Sequence, residues 1–119
     1  MLSFTGSLKV WVCLEAVDMR KGFEGLAGLV AEQFTEPLTG GALFVFGNRR
    51  RNRLKILFCD GTGLWVCAKR LEQGQFSWPK PSRQGQKRLS LSPEALSLLT
   101  DGIDLKGARM RPWYEREEG

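Results

Sequence analysis

The chain has 119 residues, no histidine, and 18 Lys and Arg residues against 13 Asp and Glu residues, for a formal net charge of +5. This length allows one small domain with a hydrophobic core and leaves little room for a second. The absence of histidine excludes Ser-His-Asp and Cys-His nucleophilic sites and most zinc sites, and the carboxylates fall at turns and helix ends, so we expect neither an enzyme nor a bound metal or other cofactor.

The first predicted elements are a strand and a helix. Apolar residues alternate with other side chains over residues 8–14, which predicts a strand. Asp18 is typical of an N-cap, and the apolar residues that follow it recur at spacings of three and four as far as Phe34. This pattern predicts a helix over residues 19–34 with one apolar stripe that packs on a sheet.

Three more strands are predicted at residues 42–47, 53–59 and 64–71. An arginine-rich turn joins the first two, and the loop that starts with Asp60 and Gly61 joins the last two; Asp-Gly between apolar runs is a strong hairpin signal. The three strands would form an antiparallel meander. The register of the second hairpin stays open, because loops of two and three residues put Trp65 on opposite faces of the sheet.

The remainder of the chain predicts a connection, a short helix and a tail. Residues 73–89 are rich in Gly, Pro, Ser and Gln, and the basic part at 79–88 is expected to be mobile. Ser92 and Pro93 then predict the start of a short helix. The expected fold is α+β: one domain over residues 1–105, with a meander of about four strands, one helix packed on it and a short C-terminal helix. Residues 106–119 are expected to form a flexible tail.

The cysteines and the hydropathy pattern indicate a cytoplasmic protein. The chain has three cysteines, Cys13, Cys59 and Cys67, and no Cys-x-x-Cys motif. This odd number without a metal-type spacing favours buried free thiols in a reducing compartment. The N-terminus lacks a signal-peptide pattern, and no apolar run approaches membrane-spanning length, so no membrane contact is expected.

The charge distribution predicts a polyanion partner. Residues 48–88 carry eleven of the 18 Lys and Arg residues and two of the 13 acids, a net charge of +9 that leaves −4 for the remainder. Four arginines lie within residues 49–53, where they repel one another and folding gives no reason for them. Guanidinium groups bind phosphate oxygens in pairs, so DNA is the expected ligand. The alternative is a solvated hairpin tip whose charges serve solubility.

Other basic and aromatic residues extend this hypothesis. Arg20 and Lys21 fall in the first turn of the predicted helix, where a bound anion would offset their unfavourable interaction with the helix dipole; the alternative is that they are solvated. Trp78 is predicted to stack on bases, whereas core packing is favoured for Trp65. The predicted nucleic-acid-binding residues are Arg20, Lys21, Arg49, Arg50, Arg51, Arg53, Lys55, Lys69, Arg70, Trp78, Lys80, Arg83, Lys87 and Arg88.

Several motifs carry a family resemblance. They are DMRKGFEGLA from Asp18, NRRRNRLKIL from Asn48, DGTGLW from Asp60 and FSWP from Phe76. With these motifs in order over residues 8–105, the chain resembles the TnpB accessory proteins of bacterial insertion sequences of the IS-66 group. The resemblance implies a small protein encoded beside a much larger DDE-type transposase and needed for efficient transposition, and it implies no particular molecular activity.

Two functional hypotheses follow. In the first, the protein binds DNA at or near the ends of the element, through the arginine turn and its neighbours, and assists the separate transposase. In the second, it docks on the transposase through residues 92–105 and the tail around Trp113 and Tyr114, and never contacts DNA. The exposed edges of the predicted meander leave room for a homo-oligomer.

Overall fold

The computed structural model describes residues 8–101 and contains one five-stranded sheet with an α-helix on each face. In chain order the elements are β1 (Val10–Cys13), α1 (Phe23–Gln33), a 3-10 helix (Leu38–Gly40), β2 (Leu43–Gly47), β3 (Arg53–Cys59), β4 (Leu64–Arg70), β5 (Arg88–Leu91) and α2 (Pro93–Thr100). The α+β fold is confirmed, with five strands instead of about four. The predicted tail, including Trp113 and Tyr114, lies outside the described residues.

The sheet is mixed, with strand order β4-β3-β2-β1-β5. Strands β2, β3 and β4 form the predicted antiparallel meander, whereas β1 pairs parallel to β2, with Val10 opposite Leu43. The long crossover through α1 makes this possible, because parallel strands need a connection of a dozen or more residues. As a result, the carboxyl ends of β1 and β2 lie at the same edge of the sheet.

Strand β5 was not predicted from the sequence. It pairs antiparallel with β1, with Trp11 opposite Ser90, and so places Arg88 and Leu89 in the sheet instead of in the predicted connection. Four residues with polar neighbours give too little alternation to reveal a strand. The second hairpin closes through a four-residue loop, because Cys59 pairs with Leu64.

Helix α1 starts later than the sequence pattern predicts. Its N-cap is Gly22, and no side chain caps it, so the prediction of Asp18 as N-cap is wrong. Asp18 Oδ1 instead accepts the backbone N–H of Arg20 at 2.9 Å. This local bond competes with helix formation in the way typical of Asp. Arg20 and Lys21 therefore precede the helix.

Two apolar layers enclose the sheet. On one face, Leu26 and Val30 of α1 pack with Phe44 and Leu57 of the sheet. On the other face, Leu96 and Leu99 of α2 belong to the cluster that contains Val45 and Ile56. The predicted start of α2 is confirmed, since Ser92 Oγ accepts the N–H of Ala95 at 3.1 Å. Neither helix is long and apolar enough to cross a membrane.

We expect Gly47→Ala to destabilise the fold. A Cβ at position 47 would lie 2.6 Å from the Trp78 ring, and overpacking of this kind typically costs about 1–3 kcal/mol. Gly63→Ala is the matched control, because a Cβ there meets nothing within 4 Å; we expect it to change the free energy of unfolding by less than about 0.5 kcal/mol. Denaturant unfolding of both variants checks this, and equal stabilities would contradict the close approach of Trp78.

Candidate nucleic-acid interface

Several of the predicted basic residues lie together where β1 and β2 end. The loop after β1 (residues 14–22) and the turn after β2 (residues 48–52, here called the arginine turn) lie side by side. The N–H of Val17 donates to Gly47 O at 2.8 Å and joins them. Ligands in α/β units commonly bind outside the carboxyl ends of strands, and here that edge carries the basic groups.

Asn48 builds the arginine turn. Its Oδ1 accepts the backbone N–H groups of Asn52 and Arg53, each at 3.1 Å, and its Nδ2 donates to Asn52 Oδ1 at 2.7 Å. Within the turn, Arg51 has a φ of 58°, a left-handed conformation that costs an L-residue roughly 1–2 kcal/mol. The turn leaves Arg49 and Arg50 exposed and leaves Arg51 half-buried.

Arg51 binds the protein itself. Its Nη2 donates to Leu14 O at 2.8 Å, and its guanidinium carbon lies 4.8 Å from the centroid of the Trp78 ring. Burial lowers the pKa of this guanidinium, and its buried Nη1 has no hydrogen-bond partner among the described residues. Trp78 is also occupied, because its Nε1 donates to Cys13 O at 3.1 Å. The two residues join the arginine turn to β1.

The other arginines border an open groove of about 500 Å³ between residues 16–20 and the arginine turn. Arg49, Arg50 and Arg53 line it, and Arg70 lies directly opposite Arg53 on the neighbouring strand. Like charges placed opposite each other destabilise a sheet. Within residues 8–101, the Arg20–Asp18 contact is the only ion pair, so no described acid neutralises these four arginines.

Asp18 is the only described acid that lines the groove. Its Oδ2 lies 2.8 Å from Arg20 Nη2, and hydrogen bonds from Arg20 lower the pKa of Asp18 to about 2. Both groups are exposed. The nearby Lys55 Nζ donates to the backbone O of Lys21 at 2.8 Å, which places the Lys55 ammonium beside the start of α1.

The remaining predicted residues lie elsewhere. Lys69 Nζ donates to Thr100 O at 2.8 Å, and Arg88 Nη1 donates to Gln33 O at 3.0 Å; both acceptors are at helix C-termini, where cations are favourable. Three exposed cations of the 79–88 connection lie outside the groove: Lys80, Arg83 and Lys87.

Trp65 is exposed, contrary to the core position favoured from the sequence. The side chain is 51% exposed, its ring stacks on Phe58 with centroids 6.1 Å apart, and its Nε1 donates to Asp60 Oδ2 at 2.7 Å. That bond, with others from Thr62, lowers the pKa of Asp60. The register that exposes Trp65 depends on the length of the 60–63 loop, which the sequence left open.

The described residues contain no group of three or more Cys, Asp or Glu that could hold a metal ion. All three cysteines are free; Cys13 is buried, and burial raises the pKa of its thiol. Cys59 and Cys67 are half-buried and do not face each other, because Cys59 pairs with Leu64 and Cys67 pairs with Ile56.

A small α+β protein with a mixed sheet and an arginine-lined groove is the class that the fold and the site define. The chain belongs to the family described as IS66 Orf2 like protein, whose family model matches residues 8–110. The resemblance predicted from the motifs is thereby confirmed, and it associates the protein with an insertion sequence.

Two proteins of Sinorhizobium fredii (strain NBRC 101917 / NGR234) are similar along most of their length. "Uncharacterized protein y4jC" is 35% identical over 112 residues, which cover 94% of this chain and 93% of the relative. "Uncharacterized protein y4hO" is 39% identical over 104 residues, which cover 87% of this chain and 88% of the relative. No solved structure matches the chain significantly.

Arg51→Ala should destabilise the fold, whereas Arg49→Ala should not. The first change removes a charged donor from Leu14 O and leaves that carbonyl without its partner, a loss of about 1.5–3 kcal/mol. Arg49 is exposed, and we expect its removal to change stability by less than about 0.5 kcal/mol. Thermal unfolding of the two variants measures the difference, and equal midpoints would contradict the structural role of Arg51.

The Asp18–Arg20 pair makes a prediction about pH. We expect the Asp18 carboxyl to titrate at about 2 by NMR, and to move towards its ordinary value of about 3.9 in Arg20→Gln. Because the folded pKa is depressed, the stabilisation from this pair is present above the unfolded pKa and is lost as pH falls through the folded pKa. An unchanged titration in Arg20→Gln would contradict the pairing.

Proposed function

We propose that this protein binds DNA through the arginine-lined groove and acts as an accessory factor for the separate transposase of its insertion sequence. Family membership supports the association with an insertion sequence. The observation that carries DNA binding is the cluster formed by Arg49, Arg50, Arg53 and Arg70, which no described acid neutralises.

The groove suits a phosphate backbone better than a single small anion. It is open, Arg49 and Arg50 of the arginine turn and Arg53 of β3 line it, and Arg70 of β4 lies opposite Arg53. The repulsion between Arg53 and Arg70 is relieved when a phosphate lies between them, so binding offsets a cost already present in the free protein. Lys21 and Lys55 extend the same surface beside the start of α1. These residues would fix the position of the duplex, as phosphate contacts generally do.

Arg51 and Trp78 take a positioning role in this proposal. Arg51 donates to Leu14, directly after β1, and Trp78 donates to Cys13, the last residue of β1. These bonds would set the direction of the arginine turn, and neither side chain would contact DNA. The exposed Lys80, Arg83 and Lys87 would supply weaker contacts along the backbone, separate from the groove.

The salt dependence of binding tests the groove. We expect the triple variant Arg49→Gln, Arg50→Gln, Arg53→Gln to bind duplex DNA much more weakly. The log–log salt slope should become shallower by roughly 2.7, at about 0.9 for each lost phosphate contact. Fluorescence anisotropy over a salt series, with insertion-sequence-end and scrambled duplexes, measures both quantities. The two duplexes also reveal any sequence preference.

A matched pair of single substitutions controls for net charge. Lys9→Gln and Arg50→Gln remove one positive charge each, but Lys9 precedes β1 and lies outside the groove. We expect only Arg50→Gln to reduce the salt slope, by roughly 0.9. Equal effects from the two variants would mean that binding follows net charge and would contradict the groove.

Asp18→Asn should tighten DNA binding. The substitution removes the acid from the groove and releases Arg20 from its ion pair, so one repulsion is lost and one phosphate ligand is gained. We expect an affinity several-fold higher at low salt and a slope steeper by up to about 0.9. Weaker binding would show that Asp18 orients Arg20 for the contact.

A transposition assay connects the groove to the accessory role. The triple variant should fail to support transposition by the separate transposase, because its DNA contact is lost. Absence of DNA binding by folded wild-type protein at low salt would contradict the proposal. Retention of the transposase in a nuclease-treated pull-down would then favour the second hypothesis, a module that docks on the transposase.

A further inference from the structure

Within residues 8–101, no strand pairs with the outer backbone edge of β4. The sheet ends at β4 on one side and at β5 on the other. β4 has seven residues without a proline and pairs with β3 along its whole length, whereas β5 has four residues. An edge strand presents a row of N–H and C=O groups that another strand can pair with. A further strand would therefore add most readily to β4.

The hydrogen-bond pattern identifies the groups that point away from β3. The N–H of Leu71 donates to Asn52 O at 2.9 Å, one step beyond the register pair of Arg53 and Arg70. In an antiparallel pair, successive residues alternate between bonding to the partner and pointing outward. The outward groups of β4 accordingly belong to Leu64, Val66, Ala68 and Arg70.

These outward groups are self-complementary about a two-fold axis through Cys67. Such an axis places Val66 opposite Ala68 of the second copy and Leu64 opposite Arg70 of the second copy. All seven residues of the strand then pair, and each outward N–H meets an outward C=O. An axis through Lys69 would instead shorten the ladder and place two ammonium groups face to face.

The side chains favour the same arrangement. Lys69 and Arg70 end the strand, while the exposed Leu64 and Trp65 begin it. Antiparallel pairing about Cys67 brings the cationic end of one copy beside the apolar end of the other and keeps the two cationic ends apart. Trp65 lies opposite Lys69 of the second copy on the same face, where a cation and an aromatic ring attract each other.

We propose that the protein forms a two-fold symmetric homodimer by antiparallel pairing of β4 with β4 of a second copy, with the axis through Cys67. The result is a continuous ten-stranded sheet. Because the axis is perpendicular to the sheet, the α1 helices of both copies lie on the same face, and the arginine turns lie towards opposite ends. This proposal does not depend on DNA binding.

Cys67 provides a direct test of the register. In the proposed dimer the two Cys67 residues form a non-hydrogen-bonded pair, with Cα atoms about 4.5 Å apart, which lies within the usual disulfide range of about 4.4–6.8 Å. A mild oxidant should therefore link two full-length chains, and non-reducing electrophoresis detects the product. We expect the linked dimer in wild type and in Cys59→Ser, and its loss in Cys67→Ser. Linkage that survives Cys67→Ser and disappears in Cys59→Ser would overturn the register.

Ala68→Pro tests the backbone ladder. Proline at this position removes an outward N–H and leaves the β3–β4 hydrogen bonds in place, as proline does on edge strands. We expect wild type and the control Ala68→Ser to show a concentration-dependent monomer–dimer equilibrium by sedimentation velocity, and Ala68→Pro to remain a monomer. Circular dichroism shows whether the proline variant folds. If it does not fold, the Cys67 cross-linking experiment tests the dimer instead.

Two outcomes would overturn the proposal. One is a wild-type protein that stays monomeric over the concentration series and gives no Cys67 linkage. A protein that only forms a 1:1 complex with the transposase would count as the same outcome. The other is a dimer that Ala68→Pro, folded, leaves unchanged, because such a dimer would use a different surface.

Discussion

The guanidinium of Arg51 lies between segments that are distant in the sequence, and the candidate site depends on its contacts. It donates to Leu14 after β1 and lies over Trp78, which itself donates to Cys13. These interactions hold a left-handed residue in the arginine turn and join that turn to the parallel pair of strands. Of the three consecutive arginines, only Arg51 turns inward, and its neighbours Arg49 and Arg50 are exposed. A row of arginines thus contains residues with two different roles.

The fold concentrates positive charge at a cost to its own stability. Arg53 and Arg70 are opposite each other in register, and the sheet would be more stable with an acid at either position. The acid that lines the groove, Asp18, pairs with Arg20, and no acid within residues 8–101 neutralises the other arginines there. Such an arrangement is understandable when an external anion supplies the missing negative charge. The buried layers on both faces of the sheet hold in place the strands that carry Arg53 and Arg70.

The two proposals use different parts of the β3–β4 hairpin: the groove uses side chains at one end, and the dimer uses the outer backbone edge of β4. Arg70 belongs to both, with its side chain beside Arg53 and its backbone in the proposed ladder. The groove lies where β3 begins and β4 ends, whereas the half-buried Phe58 and the exposed Trp65 stack where β3 ends and β4 begins. Pairing of β4 about Cys67 leaves the arginine turns uncovered, so dimer formation and DNA binding are compatible. A dimer would present two basic grooves on one face and would raise the affinity for a long duplex without new contacts in either copy.

The sequence by itself determined the β2–β3–β4 meander, the start of α2 and the position of the arginine turn. These features depend on local alternation, turn residues and a single N-cap, which neighbouring residues specify. Only the tertiary structure decided the parallel pairing of β1, the presence of β5, and which arginines face outward. Those outcomes depend on hydrogen bonds between distant segments, such as Arg51 to Leu14, and on a loop length that sets the face of Trp65. Local sequence does not predict such contacts, because the donor and the acceptor come from distant segments that meet only when the chain has folded.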